Sequence, residues 1–348
     1  MVQLLDVFKI KTMKINLIFI VILITTSLKS QVPSTPYVVR MPELIFNSMT
    51  LSVSGGQIAY DFRIADGGST PVECGFIYSY NTIYPNGDND PNDQTFTITT
   101  PANHNGVITG TTNISFLIAA YYFIPYVRNK HNTVYGTRVV LAPNWPTVTI
   151  NSKLWVQANL GASQVATSAT DASSYGFLYQ WGRGSDGHQV RTSPLLDPNE
   201  TYSDGPSPGH GNFIRSRLQD GNWMNPNPST TSWAGTTAIN NPCPSGWRIP
   251  TRDEWTWFMT NLRVGNISKG FNASTAYSND FNIKIPSGGQ RHRLNGALTN
   301  DNNHGYWLNN TSDGGVRIIY FIGSGDNNNW GEGGDAGAYG AGVRCIQN

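Results

Sequence analysis

From residue 37 to about 142 the apolar positions alternate with polar ones at a period near two, and the 3.6-residue period of a helix is missing. The runs QIAYDFRI, ECGFIYSY, TFTITT, ISFLIAAYYFIPYVRN and TVYGTRVVLA are rich in β-branched and aromatic residues. Clusters of Gly, Asn, Pro and Asp separate them at the spacing of a β-sandwich. In YYFIPYVRN, Tyr122, Ile124 and Tyr126 share one face and Phe123, Pro125 and Val127 the other. Both faces are apolar, as in a strand near the centre of a sandwich, while Pro125 argues for an edge or a bulge. Past the Pro-bearing linker PNWPT, residues 143–147, Gly, Asn and Trp rise and the alternation fades, so a second unit is expected over 148–348.

One stretch of that unit has helical spacing. In RIPTRDEWTWFMTNL, Thr251 is placed to cap a helix, Glu254 follows three residues later, and Trp255, Phe258, Met259 and Leu262 fall on one side. This is a capping box opening an amphipathic helix. The acidic pair Asp253-Glu254 is explained by the preference of a first turn for negative charge, without glycosidase chemistry.

At the N-terminus Lys9, Lys11 and Lys14 precede the apolar run INLIFIVILI (15–24), and TTSLKSQ then turns polar. That order describes a secretory signal over 1–30, with Met13 as a second candidate start. The run is short for a bilayer and no comparable one follows, so no membrane span is expected after cleavage. The mature chain is expected to be exported, secreted or held at the outer cell surface, where disulfides form.

A length of 348 residues suits two domains. Only 13% of residues are charged and the net charge is +1, so the chain has no basic surface for nucleic acid. Candidate chemistry is sparse. Asp88, Asp90 and Asp93 crowd the loop YPNGDNDPND, whose oxygens could hold calcium, although the distal Glu of a calcium hand is absent and a solvated hairpin loop is the better explanation. No other cofactor is indicated. His188, His210, His292 and His304 are too scattered to form a ligand motif, and there is no G-x-S-x-G elbow. GRGSDG (182–187) lacks the Lys and the strand-to-helix setting of a phosphate loop and reads as a turn. Cys74 sits in a strand and reads as a buried free thiol. TNDNNHGYWLNNTSDGG and GSGDNNNWGEGGD bring carboxylates, amides and aromatic rings together, the chemistry of saccharide recognition, or else simply form turns around core aromatics.

The stretch AAYYFIPYVRNKHNTVYG (119–136) resembles the fibronectin type III-like modules of exported Bacteroidetes proteins. Farther along, KLWVQANLGA, SYGFLYQWGRGSDGHQ, NPCPSGWRIPTRDEW, GYW and GAGVRC follow one another in an order that resembles the Fibrobacter major paralogous domain. That family is similar to the C-type lectin-like fold of formylglycine-generating enzymes. Together the resemblances imply an all-β fibronectin/immunoglobulin-like sandwich over 37–142, followed over 148–348 by an α+β lectin-like domain with small antiparallel sheets, few helices and long loops. In folds of this kind the first and last parts of the domain meet in one sheet, which implies a disulfide between Cys243 and Cys345. With both cysteines so committed, the copper-binding cysteine pair of the formylglycine oxidases has no counterpart. Lectin-like folds build their ligand face from irregular loops before the last strands. The resemblance therefore implies a non-enzymatic adhesion protein that binds a glycan or protein ligand through Asn309, Asn310, Asp326, Asn327, Asn328, Asn329 and Trp330. A diverged formylglycine-type enzyme and a structural envelope or filament subunit are the alternatives.

Overall fold

The structure is a computed structural model. It describes residues 45–347 except 55–56, 66–72, 81–93, 100–105, 114–118, 120, 131–132, 142–145, 198–201, 217–220, 227, 230, 245, 262, 265–266, 269–276, 300–303, 311–315, 323–329 and 336. In several strands, β17 and β18 below among them, only the backbone is described. The chain divides into Met1–Met41 and Pro42–Asn348. The first unit, with the expected signal, lies outside the described residues, as do Asp88, Asp90 and Asp93.

The protein is mostly β, with several small antiparallel sheets and a single α-helix among the described residues. Eight strands come first: β1 (Ile45–Ser54), β2 (Gln57–Ala65), β3 (Glu73–Ser79), β4 (Gln94–Thr99), β5 (Gly106–Asn113), β6 (Tyr121–Arg128), β7 (Thr133–Tyr135) and β8 (Val139–Leu141). They form two sheets, β1-β2-β5 and β4-β3-β6-β7, with β8 also pairing β6. Period-two burial fills the space between them: Tyr60 of β2 meets Phe96 of β4 at 5.8 Å between ring centroids, and Phe76 of β3 stacks on Phe96 at 5.0 Å.

β6 is not an edge. It pairs with β3 on one side along its whole length and with β7 and β8 on the other. Pro125 is tolerated because it falls in the gap between those two short partners, where its carbonyl accepts from Gly136 N–H. A strand residue points its N–H and C=O to the same side, so the missing donor of Pro125 faces the gap and takes nothing from the β3 ladder. Cys74 is fully buried and unpaired as a disulfide; burial, aided by Glu73, pushes its thiol up to about 12.

After Pro146 come β9 (Thr147–Ile150), β10 (Lys153–Val156), β11 (Tyr179–Gln180), the helix α1 (Arg252–Asn261), β12 (Arg263–Val264), β13 (Ile267–Ser268), β14 (Gln290–Arg291), β15 (Leu298–Thr299), β16 (His304–Leu308), β17 (Val316–Ile322), β18 (Trp330–Asp335), β19 (Gly340–Ala341) and β20 (Ile346–Gln347). The sheets are β20-β10-β9, β11-β19-β14-β15, β12-β13 and the meander β16-β17-β18. Long loops carry the rest.

The capping box forms as the spacing demands: Glu254 N–H donates to Thr251 Oγ1 at 3.2 Å and Thr251 N–H to Glu254 Oε2 at 2.8 Å. Trp255, Phe258 and Met259 of α1 bury against Trp155, Ile283, Ile285, Trp307 and Ile346. Leu262 lies outside the described residues.

The tail returns to the start of this region, β20 pairing β10 through Leu154↔Gln347 and Trp155↔Ile346. One residue earlier, Cys345 is disulfide-bonded to Cys243 across 102 residues of sequence. Closing a loop of that length is worth about 4–5 kcal/mol in the chain-entropy account. No helix among the described residues is long and apolar enough to cross a membrane.

Candidate functional site

Asn309 and Asn310 follow one end of the meander, and Trp330 opens its last strand at the other. β16 and β17 are antiparallel, with Leu308↔Ile318 at one end and His304↔Ile322 at the other. β17 and β18 repeat the pattern, from Val316↔Asp335 to Phe321↔Trp330. Asn309 and Asn310 therefore leave from the first end, and β17 ends and β18 begins at the second. The seven residues of β17 hold those ends roughly 20 Å apart, which separates Asn309 and Asn310 from the start of β18.

At the first end the asparagines face inward. Asn309 is 0% exposed and its carbonyl accepts from Trp181 Nε1 at 2.9 Å. Asn310 is buried too; its Nδ2 donates to Ile249 O at 3.1 Å and its N–H to Pro250 O. Asn310 thereby braces the approach to α1. At the second end Asp326, Asn327, Asn328 and Asn329 lie outside the described residues, and Trp330 opens β18 opposite Phe321. β18 is the outer strand of the sheet. Trp307 itself is a core residue, 1% exposed.

The sequence motifs themselves converge inside. Asn159 of ANLG accepts from Arg344 Nε at 2.9 Å and from Trp307 Nε1 at 3.0 Å, and donates to Tyr175 O at 3.0 Å. Arg344 is fully buried without a carboxylate; its guanidinium bonds Gln157 O and Lys284 O instead, and burial lowers it to about 9. Four distant stretches are thus tied by one asparagine and one arginine.

A second knot fills the turn GRGSDGHQ. Arg183, Asp186 and His188 are buried, at 0%, 5% and 0% exposure. Arg183 Nε donates to Asp186 Oδ2 at 2.6 Å, and its other nitrogens reach Gln180 Oε1, Asn212 O and His210 O. His188 Nδ1 lies 2.5 Å from Asp186 Oδ1, and its Nε2 accepts Gln180 N–H at 3.0 Å. Burial works against the Asp186 charge, but His188 and Arg183 outweigh it and hold the carboxyl down to about 2. The turn expected from the glycines is present. What the sequence did not reveal is that its charged side chains turn inward.

The other histidines are held apart. His210 Nδ1 accepts Asn212 N–H, while His292 Nδ1 accepts Leu294 N–H and its ring stands edge-on to Tyr339. The side chain of His304 is not among those described. Among the described residues no group of three His, Cys, Asp or Glu is placed to hold a metal. Asp253 is exposed while Glu254 caps the helix and takes a bidentate pair from Arg248 at 2.7 Å, so these adjacent carboxylates do not act together.

No family model and no curated protein matches the chain. Among solved structures, a Bacteroides uniformis protein provisionally described as carbohydrate binding is similar over 28% of this chain and 56% of its own length, at 14% identity and a TM-score of 0.22. This chain thus spans little more than half of that relative.

Proposed function

We propose that the protein is an exported, non-enzymatic binding protein that takes a glycan through Asp326, Asn327, Asn328, Asn329 and Trp330, on a fibronectin-like module followed by a lectin-like one. The observation that carries this reading is the sorting of polar groups along the meander. Asn309 and Asn310 are buried, the first accepting from Trp181 Nε1 at its main-chain carbonyl and the second donating its side-chain amide to Ile249 O, whereas Trp330 opens β18, the outer strand of the sheet. Amide and carboxylate groups bond sugar hydroxyls, and an indole offers its face to the apolar side of a sugar ring. The buried arginines, Asp186 and His188 are committed to holding loops together, which leaves binding, rather than catalysis, as the chemistry at hand.

A glycan array with the full chain tests this. Trp330→Ala and a triple Asn327/Asn328/Asn329→Ala variant should each lose the glycans bound by the parent while keeping its thermal midpoint. Retained binding by both variants, or an empty array for the parent, refutes the reading.

A further inference from the structure

The knot around His188 does more than fill a turn, because it also roots the meander. Gln180 is its hub. Its backbone N–H donates to His188 Nε2, its Oε1 accepts from Arg183 and from Ile214 N–H, and its Nε2 donates to Ile214 O at 2.7 Å and Ala338 O at 3.0 Å. Next to it, Trp181 N–H donates to Gly337 O at 3.1 Å, and β11 pairs β19 through Tyr179↔Ala341 and Gln180↔Gly340. The segment 337–341 that Gln180 clamps begins just past the end of β18 at Asp335.

Asp186 dictates the tautomer of His188. Its carboxylate takes the Nδ1 proton, which leaves Nε2 as the bare acceptor that the Gln180 amide needs. A second proton on the ring would set an imidazolium N–H against that amide N–H with no water between them. Of the charges facing the ring, the two arginines add to the cost and the carboxylate offsets part of it. Asp186 is the negative one; Arg183 of the same turn and Arg291 of β14 are positive, and the Tyr179 ring stands edge-on at 5.9 Å. Ser193 Oγ, from the following loop, donates to His188 O and accepts from Arg291.

We propose that this knot is an acid-operated latch: protonation of His188 detaches Gln180 and frees residues 337–341, the C-terminal root of the candidate binding meander, while the Cys243–Cys345 disulfide and the β10–β20 pairing keep the tail in place.

Burial, with Arg183 adding to it, holds His188 down to about 4 from an ordinary 6.5, against the pull of Asp186. A depressed value means the latch is fully closed above pH 6.5 and weakens as the pH falls towards 4. The opening is local because α1 stays capped in that range: Glu254 is held down to about 2, burial being outweighed by Arg248, Thr251 N–H and Lys153.

Hydrogen exchange of the full chain from pH 7 to pH 4, corrected for the intrinsic rate, is the test. Opening linked to one proton costs the amides of 178–181 and 337–341 about tenfold in protection per pH unit below 6.5, with α1 unchanged. His188→Asn keeps a donor for Asp186 and removes the titrating ring, so its slope should vanish whatever its absolute protection. Should that variant not fold, the wild-type His188 ring nitrogens followed by NMR give the same answer, Nε2 gaining its proton over the range in which protection falls. A flat profile, a slope that survives His188→Asn, a His188 ring that titrates apart from the exchange, or loss of α1 protection in step with 178–181 overturns the latch.

Discussion

Two arginine–carboxylate clusters brace the C-terminal region, and they differ mainly in how much water reaches them. Arg183 and Asp186 are enclosed, with side chains 0% and 6% exposed, and a neutral histidine completes the group. Arg248 and Glu254 make a similar 2.7 Å pair at the mouth of α1, where Glu254 is 16% exposed and also meets Lys153, itself 33% exposed. Each carboxylate is held down to about 2. Their failure should differ in degree, because losing Asp186 strands Arg183 in a fully dry site, whereas losing Glu254 leaves Arg248, 8% exposed, at the edge of water.

Removing the buried carboxylate is therefore the sharpest test of that contrast. Asp186→Ala leaves Arg183 enclosed with carbonyl partners only, and chemical denaturation should show a loss of about 3–5 kcal/mol. Next comes the covalent tie: Cys243→Ser with Cys345→Ser should cost about 2–5 kcal/mol by the same measurement, and should do so without touching either ion pair. Glu254→Ala, which removes half of the capping box and the bidentate partner of Arg248, should cost less, about 2–3 kcal/mol, because Arg248 at 8% exposure keeps slight access to water and a bond to Ile249 O while Lys153 at 33% stays solvated. A loss as large as that of Asp186→Ala would erase the distinction between the two clusters.

Acid sharpens the comparison further. Asp186 and Glu254 both have folded values below their ordinary 3.8 and 4.5, so their support is present above those values and fades as the pH falls towards 2. His188 acts earlier, between 6.5 and 4. Stability followed by calorimetry should accordingly decline in two stages, and His188→Asn should remove the upper stage alone. Trp330→Ala stands at the bottom of the scale, with a change in thermal midpoint near zero and its effect confined to ligand binding.

Much of the scaffold was legible because it depends on neighbours in sequence. The alternation in QIAYDFRI, ECGFIYSY and TFTITT marks β2, β3 and β4, and Thr251 with Glu254 announces the start of α1. β1 and β5 were not picked out: IFNSMTLSVS and GVITGTTN are rich in small polar residues and gain their ladders from β2 between them. Pro125 argued for an edge because a lone strand cannot show that its partner ladder is broken just there. The histidines were weighed as possible metal ligands by spacing, yet His188 serves Gln180 from within a turn, a role that needs Ile214 and Ala338 nearby to be seen. Asn159 carried no signal at all, since its worth lies in meeting Arg344, 185 residues away.

What the chain determined by itself is the set of local elements, and the disulfide once its resemblance to a known family is allowed: period, caps and turn residues act over a few positions and need no distant partner. Only the tertiary structure decided which polar groups are spent inside. Asn309 and Asn310 look, in sequence, like the asparagines around residue 328, yet the fold buries them. A buried polar group must find its partner wherever the fold brings one, and Trp181, far away in the chain, supplies it for the Asn309 carbonyl as Ile249 does for the Asn310 amide.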